Sequence, residues 1–222
     1  MNLADKTMVV TGGAGVLGQA VATEARDQGA SVILLDVVAF QSDLGTTLSV
    51  DLTDPDAVAS AFSEIGDFSA VANIAGGFDM GPMVHETDDA MWDHLFDINV
   101  KTLRRVLTCA VPRLLARGGG TVVNVGALGA LKGTGNMGAY TAAKSTVMRL
   151  TEALSDEVRG QGINVNAVLP SLIDTPRNRA DMPGADFSTW VSPQDLARVV
   201  CFLSSDAARA VHGALVPVTG LV

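Results

Sequence analysis

Cysteine is scarce: Cys109 and Cys201 are the only two in 222 residues, and both lie in apolar stretches of helical pattern. Two cysteines so placed read as buried free thiols and exclude a disulfide framework. His85, His94 and His212 are the only histidines, without ligand spacing, so no metal centre is expected. No apolar run reaches the ~20 residues of a membrane span. The opening Met1-Asn2-Leu3-Ala4-Asp5-Lys6 has no apolar stretch ahead of the first strand. A soluble, cytoplasmic chain is the expectation. Cations are few, 15 against 24 carboxylates, for a net charge of −9. That balance argues against a nucleic-acid partner or an anionic membrane surface. No Lys or Arg stands between Gly29 and Lys101, and Tyr140 is the only tyrosine.

What the chain does have is aliphatic bulk and turns: 48% hydrophobic residues with 5% aromatic, and 23 glycines. β-Branched runs with little alternation predict seven strands, covered on both faces: Lys6–Thr11, Ser31–Asp36, Leu48–Val50, Ala70–Ile74, Thr121–Val125, Ile163–Leu169 and Ala214–Val218. Helical patterns fall between them, at Val16–Gln28, Pro55–Ile65, Thr87–Leu115, Gly138–Arg159 and Pro193–Ser204. Asp54-Pro55 and Ser192-Pro193 mark two helix starts, each a capping residue before a first-turn proline. The alternation predicts an α/β chain: a single domain over residues 1–222, with a doubly wound, seven-stranded parallel sheet of Rossmann type. Ser171 to Val191 is aperiodic, and a loop of that length is usually functional or mobile.

Thr11-Gly12-Gly13-Ala14-Gly15-Val16-Leu17-Gly18 follows a strand and opens a helix, the context that gives a glycine-rich loop meaning as a pyrophosphate cradle. Gly12 opens the loop, Gly13 and Gly15 suit a tight turn and close approach, Gly18 suits helix packing, and Val16 and Leu17 carry the first helical N–H groups. Asp36 ends the second strand, where a carboxylate accepts the ribose hydroxyls and repels a 2′-phosphate. NAD(H) is therefore the expected cofactor. Asp51, beside Leu52, is placed either to hold the adenine amino group or to close a turn.

Tyr140 and Lys144 stand four residues apart, on one helix face. An ammonium held near a phenol favours the phenolate, so the Tyr140 pKa is expected to fall below ~10 and give a proton donor and acceptor.

With these pieces in order, nearly the whole chain resembles the short-chain dehydrogenase/reductase family. The matching elements are Thr11–Gly18, Asn73-Ile74-Ala75-Gly76, Asn99, Tyr140 with Lys144, and Pro170 with Thr175. The resemblance implies that Tyr140 is the acid/base, Lys144 holds the nicotinamide ribose, Asn99 supports a proton relay and Thr175 holds the carboxamide. It also implies a cofactor site including Asn73, Ala75, Gly76 and Pro170, and a homodimer or homotetramer joined through two long helices. The family's substrate-polarising serine is replaced by Ala127, and Thr134 is the only hydroxyl between Asn124 and Tyr140. Gly126-Ala127, Ala130-Leu131-Lys132-Gly133-Thr134, Asp174 to Arg179 and Met182 to Trp190 are similar to the dihydropteridine reductase branch, which lacks that serine and reduces a quinonoid pterin with NADH. Ala127, Met182 and Trp190 are accordingly expected at the small-molecule substrate, although Trp190 and Met182 fit loop packing as well. Two other readings stay open: a general alcohol dehydrogenase or carbonyl reductase, and a nucleotide-binding sensor or scaffold that has lost catalysis.

Overall fold

The computed structural model describes residues 2–222. Its strands are β1 (Thr7–Thr11), β2 (Ser31–Asp36), β3 (Thr46–Ser49), β4 (Ala70–Asn73), β5 (Gly120–Val125), β6 (Ile163–Pro170) and β7 (Leu215–Val218). All pair in parallel in one sheet, ordered β3-β2-β1-β4-β5-β6-β7. The chain winds outward one way from β1 and the other way from β4. The switch point between them opens at the carboxyl ends of the strands, where such sheets take their ligands.

Helices cover both faces, which explains strands that are apolar without alternation: every residue of β4 and β6 is buried. On one face α1 (Val16–Asp27) packs against α7 (Pro193–Ser204), with Val21, Leu196 and Val200 fully buried beneath them. On the other, α2 (Pro55–Glu64), α4 (Thr102–Arg117) and α5 (Gly138–Val158) cover Val71, Val122 and Val165. Each fully buried leucine or valine contributes about 2 kcal/mol of transfer free energy, so these two layers carry the fold. The two expected caps are present. Asp54 accepts from the amides of Asp56 and Ala57, and Ser192 Oγ accepts from Asp195 N–H at 3.0 Å while donating to Asp195 Oδ2 at 2.7 Å.

Three elements differ from the sequence expectation. β3 runs Thr46–Ser49 instead of 48–50, and Phe40 and Leu44 in the preceding connection pack on the core where a crossover helix would lie. The helix expected from Thr87 to Leu115 is α3 (Asp89–Phe96), a π-helical turn over Asp97–Lys101, and α4. The aperiodic stretch 171–191 holds a short helix, α6 (Pro176–Asp181), and a 3₁₀ turn at Phe187–Thr189, with Ile173 bridged to Val191. Among the described residues no helix is long and apolar enough to cross a membrane, and no group of three or more His, Cys, Asp or Glu could hold a metal. Cys201 is buried, Cys109 half-buried, and both are free thiols.

Candidate active site

The loop after β1 is shaped by contacts that admit only glycine at two points. Gly12 has φ +68°, and a Cβ there would meet Ala75 N at 2.9 Å. A Cβ on Gly18 would sit 2.1 Å from the Gly12 carbonyl, so its absence lets α1 start directly against the turn. The left-handed residue is thus Gly12, whereas the sequence pointed to Gly13 and Gly15 for the tight turn. Thr11 Oγ1, buried, accepts from Ala75 N–H at 3.1 Å and ties this loop to the one after β4. The first turn of α1 has no side-chain cap and no acidic residue, and Val16 is 45% exposed. Unpartnered N–H groups at the positive end of a helix whose first turn carries no acidic residue fit a pyrophosphate.

Asp36 stands beside that loop: its Oδ2 accepts from Ala14 N–H at 2.9 Å and its Oδ1 from Val38 N–H at 3.1 Å. The carboxylate is therefore aimed at the glycine turn, with lone pairs left for ribose hydroxyls. Asp51 closes a turn. Its Oδ1 accepts from Thr53 N–H and Thr53 Oγ1, and these bonds hold its pKa below the usual carboxylate value. The neighbouring Leu52 is buried, and its carbonyl receives a long 3.4 Å contact from Arg105 on α4, a cation that the sequence reading missed.

Beyond β4, the loop Ala75–Gly77 brings the catalytic candidates together. Asn99, on the π-helical turn and 2% exposed, accepts from Gly77 N–H at 3.1 Å and donates to the carbonyls of Gly77 and Leu95, each at 3.0 Å. A Cβ at Gly76 would lie 2.7 Å from Asn99 Oδ1 and 3.2 Å from Lys144 Nζ, so both polar tips converge on that glycine. Lys144 is buried on α5 and donates to the Val125 carbonyl at 3.0 Å. Burial lowers its pKa to about 8. Asn73 lies behind this group in a structural chain, Asn73 Nδ2 to Asn124 Oδ1 and Asn124 Nδ2 to Thr151 Oγ1, both 2.9 Å, which binds β4, β5 and α5.

Tyr140 is one helical turn before Lys144, and desolvation pushes its phenol up to about 12. The expected depression is corrected here: burial against an apolar wall outweighs the neighbouring ammonium and raises the Tyr140 pKa. That wall includes Phe78, whose ring meets Tyr140 edge-on at 4.9 Å and 86°. The sequence reading missed Phe78, although an aromatic directly after Gly76-Gly77 in so aromatic-poor a chain was an available signal. Ala127, 5% exposed, clusters with Ala130, Met148 and Leu169, and Tyr140 packs against them. Thr134 is exposed in a turn, and nothing brings it to Tyr140.

Pro170 ends β6. Thr175 caps α6 through a 3.2 Å bond from Asn178 N–H, and half-buried Met182 closes its other end. Trp190 packs inward, 7% exposed and edge-on to Phe187 at 4.9 Å. Of its two roles the structure favours packing. Arg179 is held by Asp174, while Asp88 is the N-cap of α3 and no part of the site.

Residues 12–220 match the family model described as "Enoyl-(Acyl carrier protein) reductase". The chain is 31% identical over 249 residues to 2-(S)-hydroxypropyl-CoM dehydrogenase 3 of Xanthobacter autotrophicus, covering 98% of this chain and 96% of that one. Carveol dehydrogenase from Mycobacterium avium, solved with NAD, superposes with a TM-score of 0.90 at 27% identity, over 99% of this chain and 98% of that one. A candidate 2-deoxy-D-gluconate 3-dehydrogenase from Agrobacterium tumefaciens, solved with NADP, gives 0.91 at 33% identity, over 99% and 96%. The chain belongs to the short-chain dehydrogenase/reductase family of NAD(P)-dependent oxidoreductases.

Proposed function

We propose that the protein is an NADH-dependent reductase in which Tyr140 donates the proton to an electron-poor C=N or C=O, a quinonoid dihydropterin being the substrate that best fits its sequence. The observation that carries this reading is the placement of Tyr140, one turn before buried Lys144 on α5 and against apolar Ala127, where burial raises the phenol pKa. The turn at Gly12–Gly18 would hold the pyrophosphate, Asp36 the adenosine ribose, and Lys144 with Thr175 the nicotinamide end. When bound, the nicotinamide supplies the hydride equivalent. Lys144, cationic at neutral pH, steadies negative charge developing on the Tyr140 oxygen as the proton leaves. Asn99 holds Gly77 and with it the floor of the site. No side-chain hydroxyl at 127 polarises the substrate, which suits one already activated by conjugation.

A second reading, alcohol dehydrogenase or carbonyl reductase, is favoured by the relatives, among them the hydroxypropyl-CoM dehydrogenase. One assay separates the two: NADH oxidation with chemically generated quinonoid dihydropterin against a panel of ketones, for the unmutated chain and Ala127→Ser. Efficient pterin turnover, little changed by the added hydroxyl, supports the first reading. Turnover of simple ketones with none of the pterin overturns it and leaves the second. For assembly, the resemblance to the family implies a homodimer or homotetramer through α4 and α5, on whose faces Leu107 and Leu150 are only half-buried in the single chain, and light scattering would test it.

A further inference from the structure

The segment 171–191 leaves the carboxyl end of β6 at the sheet edge where Gly76 and Tyr140 stand, yet it is braced at several points. At its base Asp174 N–H donates to the Val191 carbonyl at 2.8 Å and Val191 N–H to the Leu172 carbonyl at 2.9 Å. Behind it, Leu221 N–H donates to the Thr189 carbonyl at 2.8 Å, and Gly220, at φ +60°, comes so close that a Cβ would lie 2.6 Å from that oxygen. Across the middle runs one arginine. Arg179 Nε and Nη2 donate to the two oxygens of Asp174 at 2.5 and 2.7 Å, and the guanidinium lies 4.8 Å from the centre of the Phe187 ring. Phe187 in turn abuts buried Trp190.

This arrangement uses what is particular to arginine, a planar fork that matches a carboxylate with two bonds while its face stacks on an aromatic ring. A partly exposed ion pair adds little to global stability. What it does here is join two otherwise separate pieces, α6 and the Phe187–Thr189 turn. α6 is capped by Thr175 and Met182, so holding the helix also holds both of those residues. We propose that Arg179 is a positioning residue: clamped between Asp174 and Phe187, it keeps the 171–191 segment as a preformed wall of the substrate site where a mobile flap would otherwise lie. Its consequence for the substrate rests on the reductase reading above.

Two measurements on the full chain test this, with Arg179→Met and Arg179→Lys. The first is hydrogen exchange without ligand. Arg179→Met should speed exchange of the amides of 174–190 about tenfold while the β1–β6 amides keep their protection, as expected of a local opening. Arg179→Lys should fall between. The second is steady-state kinetics with NADH and whichever compound of the pterin and ketone panel the unmutated chain reduces. Substrate KM should rise about tenfold with kcat within about twofold, the pattern of lost substrate positioning, and the KM for NADH should rise by less, through the loosened Thr175 cap. Unchanged exchange in Arg179→Met overturns the clamp. Faster exchange with unchanged substrate KM overturns the positioning role, as does a loss of protection spread over the whole sheet. If the unmutated chain reduces nothing in the panel, the reductase reading fails, and the exchange data alone decide the clamp.

Discussion

Tyr140 and Lys144 sit in surroundings that push their pKa values apart, from nearly equal ordinary values to about 12 and about 8, and burial is the cause in both. For reduction this is a workable pair at neutral pH: the acid keeps its proton and the lysine is still charged. The rate of reduction should therefore be flat below about pH 8 and fall above it as Lys144 is neutralised, and a pH–rate profile reads that limb directly. Tyr140→Phe keeps the packing against Phe78 and Ala127 but removes the acid, and a loss of about 10²–10⁴ in kcat is expected. A turnover equal to that of the unmutated chain would remove Tyr140 from the mechanism. Lys144 has a second consequence, for stability. Its folded pKa lies below the ordinary lysine value of 10.5, so below about pH 8 both states are protonated and the full penalty of burying the charge is present. Between about 8 and 10.5 the unfolded chain binds the extra proton, and stability rises with pH. The penalty is on the order of 3 kcal/mol at 1.36 kcal/mol per pKa unit, offset in part by the bond to the Val125 carbonyl. Lys144→Met should thus abolish activity while raising Tm at pH 7 by roughly 2–6 °C, a gain that shrinks towards pH 10. A lower Tm at pH 7 would contradict this account of the buried ammonium.

The π-helical turn Asp97–Lys101 is the element that sets Asn99, and through it the Gly76–Gly77 floor. Asn99→Ala would leave the Gly77 N–H and C=O without their partner, at about 1–3 kcal/mol for each group kept from water. A Tm lower by several degrees, with faster exchange of the Gly77 amide, is the expected result. An unchanged Tm would mean that Asn99 does not hold this loop. The turn also marks how far the sequence could be read. β-Branched runs such as Ser31–Asp36 and Ile163–Leu169 declare themselves because a parallel strand is buried on both faces, and Asp54 and Ser192 declare helix starts because caps are chemical signals. A π turn inserts one residue within an otherwise regular run, and the apolar pattern of Thr87–Leu115 does not record it. α6 was likewise hidden: six residues, none buried, carry no periodic face, and its Thr175-Pro176 start was legible only in retrospect. For the site, the positions of Tyr140, Lys144 and Gly12–Gly18 were legible as spacing, and Asn99 only through the family resemblance. The sign of the Tyr140 shift was not, because it depends on Phe78 and on Ala127 from distant parts of the chain.

At the scale of the whole molecule, the distribution of charge decides which nicotinamide cofactor is preferred. The chain carries −9 overall, and the stretch from Gly29 to Val100, which builds β2, β3, α2, β4 and α3, contributes no Lys or Arg. In this half of the sheet lies the Asp36 carboxylate, aimed at the glycine turn. One opposing charge is supplied by folding. Arg105 reaches from α4 to the Leu52 carbonyl and acts on Asp51, but it makes no contact with Asp36, so under the proposed NADH reading the 2′ position of a dinucleotide would meet a carboxylate first. A 2′-phosphate would there face like charge within a few ångströms, a repulsion of about 1–4 kcal/mol between unit charges at 4 Å for dielectric constants of 80 to 20. NADPH should accordingly be used with a kcat/KM about 10- to 100-fold below that for NADH. Raising the salt from 50 to 500 mM should narrow the gap by screening the repulsion, and Asp36→Ala should narrow it at every salt concentration. Arg105→Ala should leave the ratio nearly unchanged if its charge is spent on Asp51 and Leu52. Kinetics with both cofactors across that salt series check all three points, and equal efficiency with NADPH in the unmutated chain would overturn the role assigned to Asp36.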